Sequence, residues 1–141
     1  MRPILTFLIV VAVGAEPLAE CVALPPCEAL QRSSIVFLGD AVSAGPIEER
    51  TGPNAFRLVP QQPVHFRVVE RFKGVAQDKK EIEAVVADAN GAEAVRFLAG
   101  RRYVVYASLR PDGKWSTNCS RSVTPEQQPA EVRELRNCTR R

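Results

Sequence analysis

The sequence has few of the side chains on which most catalytic and metal sites depend. It contains one histidine, His65, among 141 residues, so a zinc site built on histidines lacks its ligands. His65 alternates with apolar neighbours, which predicts an outward position on a strand rather than a general base in a cleft. The four cysteines show no Cys-x-x-Cys spacing. We therefore expect no enzyme activity, no metal and no cofactor.

A strong charge of one sign is also lacking. The formal net charge is +3, and acidic and basic residues are interspersed, a pattern typical of a solvated surface. Aromatic residues that would stack on bases are few, and those near basic positions fit a hydrophobic core better. We therefore expect no nucleic-acid partner. The basic residues that would suit such a face are Arg67, Arg71, Lys73, Arg101 and Arg102.

Long apolar runs are absent beyond the first residues. Residues 4–13 are almost all apolar, follow the basic Arg2 and precede the small residues Gly14 and Ala15. This pattern predicts a secretory signal peptide over residues 1–15, with cleavage after Ala15 or alternatively after Ala19. Residues 16–141 then form a single domain that is periplasmic or secreted, with no membrane association once the signal is removed.

Four cysteines follow the signal, at Cys21, Cys27, Cys119 and Cys138. An even number of cysteines in an exported chain predicts two disulfides. Pairing neighbours in sequence closes two short loops, whereas pairing the first two with the last two closes loops of nearly the whole domain. Chain entropy favours the long loops, each worth up to about 5 kcal/mol alone. Geometry decides between them, and both remain open at this point.

The pattern of apolar residues predicts a mainly β chain. Stretches rich in β-branched and aromatic residues occur at 33–42, 64–73, 81–87 and 103–108. A shorter strand is predicted at 55–59, and Pro60 and Pro63 are expected to interrupt it before the next one begins. Residues 43–54 contain glycine, proline and charges and are predicted to be a loop. About five strands separated by turn residues indicate a small antiparallel barrel.

Short helices are predicted near both ends of the mature chain. Residues 27–32 fit a helical turn or two, and a surface helix begins at Thr124 or at Pro129. Between them, Pro111, Asp112 and Gly113 supply the turn of a hairpin. The second strand of that hairpin alternates inward residues that end at Cys119, which suggests that a disulfide ties it to a distant segment.

Three short segments, taken with their order and spacing, resemble a known family. They are VVERFKG at 68–74, GRRYVVYA at 100–107 and Cys-Ser-Arg at 119–121, preceded by a cysteine pair. Together they resemble the netrin-like domain of the tissue inhibitor of metalloproteinases superfamily, in particular its small bacterial exported members. The resemblance implies a five-stranded OB-type antiparallel barrel with a short N-terminal helix and a C-terminal helix. It also implies the disulfides Cys21–Cys119 and Cys27–Cys138.

The sequence departs from the pattern of this family in several places, and these departures bear on function. Inhibitors of this family chelate the protease zinc through an N-terminal cysteine in a Cys-x-Cys pattern, and a cysteine in the middle of the chain pairs with the first. Here Cys21 and Cys27 are further apart, no middle cysteine exists, and neither cleavage point makes Cys21 the first residue. We therefore expect an exported, non-enzymatic protein-interaction module.

The expected partner is an unidentified protein, with proteases as one class to test, and the oligomeric state is left open. The alternatives are a metalloprotease inhibitor and an envelope structural or small-ligand-binding barrel. The contact surface implied by the resemblance is the segment around the first cysteine. Its residues are Glu20, Cys21, Val22, Ala23 and Leu24.

Overall fold

A computed structural model of the protein describes residues 24–51, 58–87, 95–117 and 123–141. The prediction of a mainly β chain with two helices is confirmed. Within the described ranges, neither helix has the length and hydropathy needed to cross a membrane. In chain order the elements are α1 (Pro26–Arg32), β1 (Ile35–Ala44), β2 (Glu48–Thr51), β3 (Leu58–Lys73), β4 (Glu81–Ala87), β5 (Arg102–Leu109), β6 (Trp115–Thr117) and α2 (Gln128–Thr139).

Five of the strands form a closed ring of pairings. The sheet order is β1-β5-β6-β4-β3-β2, and an additional pairing of β1 with β3 closes the ring and leaves β2 outside it. The prediction of a wholly antiparallel sheet was wrong, because β4 and β6 pair in parallel. The reason is parity: strands that alternate in direction around a closed ring must be even in number, so a ring of five contains a parallel pair.

The region between β1 and the middle of β3 differs from the predicted loop. Residues 48–51 pair with β3 as an edge strand, which brings the sheet to six strands. The prediction that Pro60 and Pro63 interrupt β3 was also wrong. At Pro60 the strand is paired with β2 but not yet with β4, and Pro63 lies between the end of the β2 pairing and the start of the β1 pairing. Pro60 therefore has an unpaired flank for its missing N–H. The Pro63 carbonyl oxygen accepts from the Gly45 N–H, and the Gln62 side chain donates to the Gly45 carbonyl oxygen.

The ring encloses the larger of two hydrophobic clusters, which we call the ring interior. Alternate residues of the strands enter it, as the period of two requires. Phe37, Phe66, Phe97 and Tyr103 run across it edge to face, with successive ring centroids 5.7, 5.3 and 4.7 Å apart. The buried residues are Ile35, Phe37, Ala41, Val64, Phe66, Ile82, Ala84, Val86, Phe97, Tyr103, Val105 and Ala107.

The second cluster, which we call the helical layer, lies between the outer face of the ring and the two helices. The remaining alternate residues of β1 and β5 supply its strand side, and α1 and α2 cover them. Both faces of these two strands are therefore buried, which is why their sequences are apolar without alternation. The buried residues are Ala29, Val36, Leu38, Val104, Tyr106, Val123, Val132 and Leu135.

Local sequence signals account for a bulge, a turn and a helix start. The register of β1 on β3 shifts between Leu38 and Gly39, where a Cβ would lie 2.8 Å from the Phe37 ring. Gly113 adopts φ +81° in the hairpin turn that precedes β6. α2 begins at Gln128 beside Pro129, and residues 125–127 form a turn. Of the two predicted starts, the one at Pro129 is thus confirmed.

Candidate functional site

One of the two disulfides implied by the family resemblance is present and joins the two helices. Cys27 in α1 bonds to Cys138 in α2, with a Cα–Cα distance of 5.5 Å and a sequence separation of 111 residues. This excludes sequential pairing for these two cysteines. The bridge Cys21–Cys119 lies outside the described residues. A disulfide of this kind is typical of an oxidising compartment.

Helix α1 is also held at its other end. Lys73, the last residue of β3, donates hydrogen bonds to the carbonyl oxygens of Leu30 at 3.0 Å and Gln31 at 2.8 Å. These carbonyls belong to the last turn of α1, where the helix leaves acceptors without a partner inside the helix and where a cation is favourable. The seven-residue helix is therefore fixed by a covalent bond near its start and an ammonium group at its end.

The predicted partner-contact segment lies just before this anchored helix. Glu20, Cys21, Val22 and Ala23 lie outside the described residues. Leu24 is half-buried and packs against the helical layer. Pro25 follows with extended backbone, φ −58° and ψ 155°, and Pro26 begins α1. Leu24 is thus the point at which this segment joins the described fold.

The basic side chains that the sequence offers for a nucleic-acid face have partners within the protein. Arg71 donates to the carbonyl oxygens of Ala76 and Lys79 in the turn after β3, at 3.0 and 2.6 Å. Arg101 lies 3.5 Å from Glu126, and Lys73 binds the end of α1. Arg67 and Arg102 contact a carboxylate described next. These basic side chains therefore make contacts that stabilise the fold.

Three charged residues lie side by side on three neighbouring strands, and we call them the charge row. Asp40 on β1 is opposite Arg67 on β3 and opposite Arg102 on β5. Arg102 donates from Nε and Nη2 to the two carboxylate oxygens of Asp40, at 2.7 and 3.1 Å. Arg67 donates from Nη2 to Oδ2 at 3.3 Å. The Asp40 side chain is only 20% exposed, whereas Arg67 is 65% and Arg102 is 48% exposed.

These contacts keep the Asp40 carboxylate ionised. The hydrogen bond from Arg102 lowers the pKa of Asp40 below its ordinary value of 3.8, and Arg67 lowers it further, against the opposing effect of partial burial. In return, Asp40 raises the pKa of the Arg102 guanidinium. The row carries two positive charges and one negative charge, so one positive charge is not compensated within it.

His65 lies on the neighbouring stretch of β3 and was predicted to be a surface residue. Its Nε2 is 3.1 Å from a carboxylate oxygen of Glu81 on β4, and its side chain is 35% exposed. The prediction of a surface histidine is confirmed. Among the residues that the structure describes, no group of three or more histidine, cysteine or acidic side chains is arranged to hold a metal ion.

Two buried polar contacts were missed by the sequence reasoning. Tyr106 donates its hydroxyl to the Glu131 carboxylate of α2 at 2.5 Å, inside the helical layer. Arg110 is buried and contacts Gln61 at 3.3 Å and Asp112 at 2.9 Å. Asp112 also accepts from the Lys114 backbone, as expected for a turn residue. The charge row was missed too, although Asp40 directly after an apolar run is a signal that a partner is needed.

Comparison with known proteins leaves the family open. No protein-family model matches the sequence, and no curated protein is significantly similar to it. The assignment of a function therefore depends on the geometry described above.

Proposed function

We propose that this protein is an exported, non-enzymatic module that binds a protein partner through residues 20–24. The observation that carries the proposal is the Cys27–Cys138 disulfide, which fixes α1 against α2 directly after that segment. A segment whose base is already immobile loses less conformational entropy on binding than a free tail does. The disulfide also supports a location in the periplasm or outside the cell.

The proposed fold is an OB-type barrel of the netrin-like kind. Three observations support it. Five strands close a ring, as a five-stranded OB barrel requires. A helix lies near each end of the described chain, and both helices contribute to one buried cluster with β1 and β5. An N-terminal cysteine is bonded to a C-terminal one, as the resemblance implies.

The interior of the ring argues against the alternative of a ligand-carrying barrel. Barrels that carry a small molecule hold it in a cavity within the ring. Among the described residues, buried apolar side chains meet across the interior, with four aromatic rings packed edge to face. Inhibition of a metalloprotease is a narrower form of protein binding and is separated by the experiment below.

The test places a photo-crosslinking side chain at Ala23, and a matched one at the exposed Arg133 of α2, in the exported protein. We expect position 23 to give a discrete protein adduct that unlabelled protein competes away, and position 133 to give none. Equal labelling from both positions, or none from position 23, would refute the contact segment.

Two further measurements separate the alternatives. Mass spectrometry of the exported protein identifies its first residue, and a panel of metalloproteases tests inhibition. A mature chain that begins at Cys21 and inhibits a protease would replace our proposal with the inhibitor. A bound small molecule in the purified protein, together with no adduct from position 23, would favour the carrier.

A further inference from the structure

The charge row borders an open cavity on the outside of the ring. The cavity has a volume of about 430 Å³, within the range of small-ligand sites. It lies where the end of β1, the middle of β3 and the start of β5 meet. Its lining residues are Asp40, Ala41, Val42, Arg67, Gly100 and Arg102.

The polar part of the lining has unused hydrogen-bond donors. A guanidinium carries five N–H groups. In the described contacts Arg102 uses its Nε and Nη2 on Asp40, and Arg67 uses Nη2 at the longer distance of 3.3 Å. Arg67 is mostly exposed, so it can turn towards a ligand and give up only this long contact.

The Asp40 carboxylate positions the Arg102 side chain and also affects which anions the cavity favours. Its two hydrogen bonds hold the plane of the Arg102 guanidinium in place. It also cancels one of the two positive charges, and a second carboxylate, Glu81 on β4, lies opposite Arg67. These two negative charges disfavour a dianion more than they disfavour a single carboxylate.

The apolar part of the lining is Val42, whose surface is 52% exposed although it lies within β1. Beside it, the main chain is tied closely to the segment before β5. Ala41 donates to the carbonyl oxygen of Arg101 at 2.9 Å, and Gly100 donates to that of Ala41 at 2.7 Å. The wall that carries Val42 is therefore fixed by backbone hydrogen bonds on the side next to Arg102.

We propose that this cavity binds a carboxylate that carries an apolar group. The carboxylate contacts Arg67 and the free donors of Arg102, because the guanidinium fork matches its two oxygens. The apolar group lies on Val42. The ligand is either a free small acid or the C-terminal carboxylate of a peptide, since both present the same chemistry. The site is separate from residues 20–24 and does not depend on their proposed role.

The test is a titration of the isotope-labelled protein followed by the backbone NMR signals of Val42 and Gly100. The probe is N-acetyl-leucine, and N-acetyl-leucinamide is its neutral match. We expect only the acid to shift these signals in a saturable way, with a Kd on the order of 1 mM because the arginines are exposed to water. Equal shifts from the acid and the amide would overturn the proposal.

Variants then assign the contacts. Arg67→Gln should weaken binding about five-fold, the effect of one exposed ion pair, whereas Arg133→Gln on α2 should leave it unchanged. Val42→Thr keeps the shape of the side chain and should weaken N-acetyl-leucine but not acetate. An Arg67→Gln protein that binds as well as the parent would overturn the proposal, and so would tighter binding of inorganic phosphate than of the acid.

A last pair of probes distinguishes the two sources of the carboxylate. A short peptide that ends in leucine with a free carboxylate is compared with its amidated form and with N-acetyl-leucine. Tighter binding of the free-carboxylate peptide than of the small acid assigns the site to chain termini. Binding of the small acid without binding of the peptide assigns it to small acids. Failure of both the free-carboxylate peptide and N-acetyl-leucine to bind would overturn the proposal, and so would equal binding of the peptide and its amidated form, without bearing on residues 20–24.

Discussion

The ring interior and the helical layer share the strands β1 and β5, each taking alternate residues of them, yet the two clusters are held together differently. The ring interior is enclosed by backbone hydrogen bonds that run from strand to strand around it. The helical layer is covered by a seven-residue and a twelve-residue helix, lengths that are marginal for isolated helices. It depends on a disulfide, on Lys73 at the end of α1 and on the contact of Tyr106 with Glu131. The contrast indicates that the covalent bond serves mainly the helices.

The largest effect should come from emptying the ring interior. Phe66 is fully buried and packs edge to face on both Phe37 and Phe97. Phe66→Ala should cost about 3–5 kcal/mol of unfolding free energy, because it removes the contacts and leaves a cavity. Phe72→Ala is the matched change, since Phe72 is only partly buried against the helical layer. Chemical denaturation should show that Phe72→Ala lowers the unfolding free energy clearly less than Phe66→Ala does. Equal losses from the two variants would contradict the difference between the ring interior and the helical layer.

Removing the Cys27–Cys138 disulfide should have the next largest effect on stability, and the effect should be larger in the helices than in the strands. The double change Cys27→Ser and Cys138→Ser should cost about 2–5 kcal/mol, the usual range for a native disulfide in a small exported domain. Hydrogen exchange should show α1 and α2 losing more protection than the amides shared by β1 and β3. Loss of protection spread evenly over helices and strands would show that the bridge stabilises both layers alike.

Replacing either of the two buried tyrosines, one in each layer, should have a smaller effect on stability, and the two effects should differ. Tyr106→Phe removes a hydrogen bond to a buried carboxylate and should cost about 1.5–3 kcal/mol. Tyr103→Phe removes contacts with backbone groups at Leu98 and Arg96 and should cost about 1 kcal/mol. Thermal or chemical denaturation of both variants measures the difference. A larger loss for Tyr103→Phe would reverse our ranking of the polar contacts.

The smallest effect should come from the charge row, which belongs to neither layer. Asp40→Asn should cost about 1 kcal/mol at neutral pH, since Arg67 is 65% and Arg102 is 48% exposed. The pKa of Asp40 is lowered in the folded protein, so its contribution is complete above the ordinary value of 3.8 and is lost as the pH falls through the folded value.

Denaturation at about pH 7 and at about pH 3 checks this sign. The difference in unfolding free energy between the parent and Asp40→Asn should be smaller at the lower pH, because there Asp40 takes up a proton in the unfolded chain before it does so in the folded one. A gap that stays constant or widens would show that the Asp40 contribution is not electrostatic. Glu48→Gln, whose contact with Arg50 is on the exposed edge strand β2, should show little effect at either pH.

Much of the fold follows from local patterns. The turn at Gly113, the bulge at Gly39 and the helix start beside Pro129 depend on residues whose backbone preferences are strong. The edge strand β2 could not be predicted in this way, because Glu48 to Thr51 are polar and become a strand only by pairing with β3. The family resemblance supplied the pairing of Cys27 with Cys138, which sequence spacing left open.

The charge row shows more clearly the difference between what local sequence indicates and what the pairing of distant strands decides. Asp40 stands out in the sequence as a charge that follows the apolar run of β1, so the need for a partner is visible there. Its partners are 27 and 62 residues away along the chain. They become neighbours because the registers of β1 on β3 and of β1 on β5 place all three residues in one row.

Composition and pattern were enough to predict a mainly β chain with a short helix near each end of the mature domain. These properties follow from side-chain preferences and from residues close in sequence. The closure of the ring through a parallel pair, the helical layer held by Cys27–Cys138, and the cavity beside Arg67 and Arg102 depend on which strands meet and in which register. Register is a property of the assembled sheet, because it depends on how all the strands bury their inward faces together.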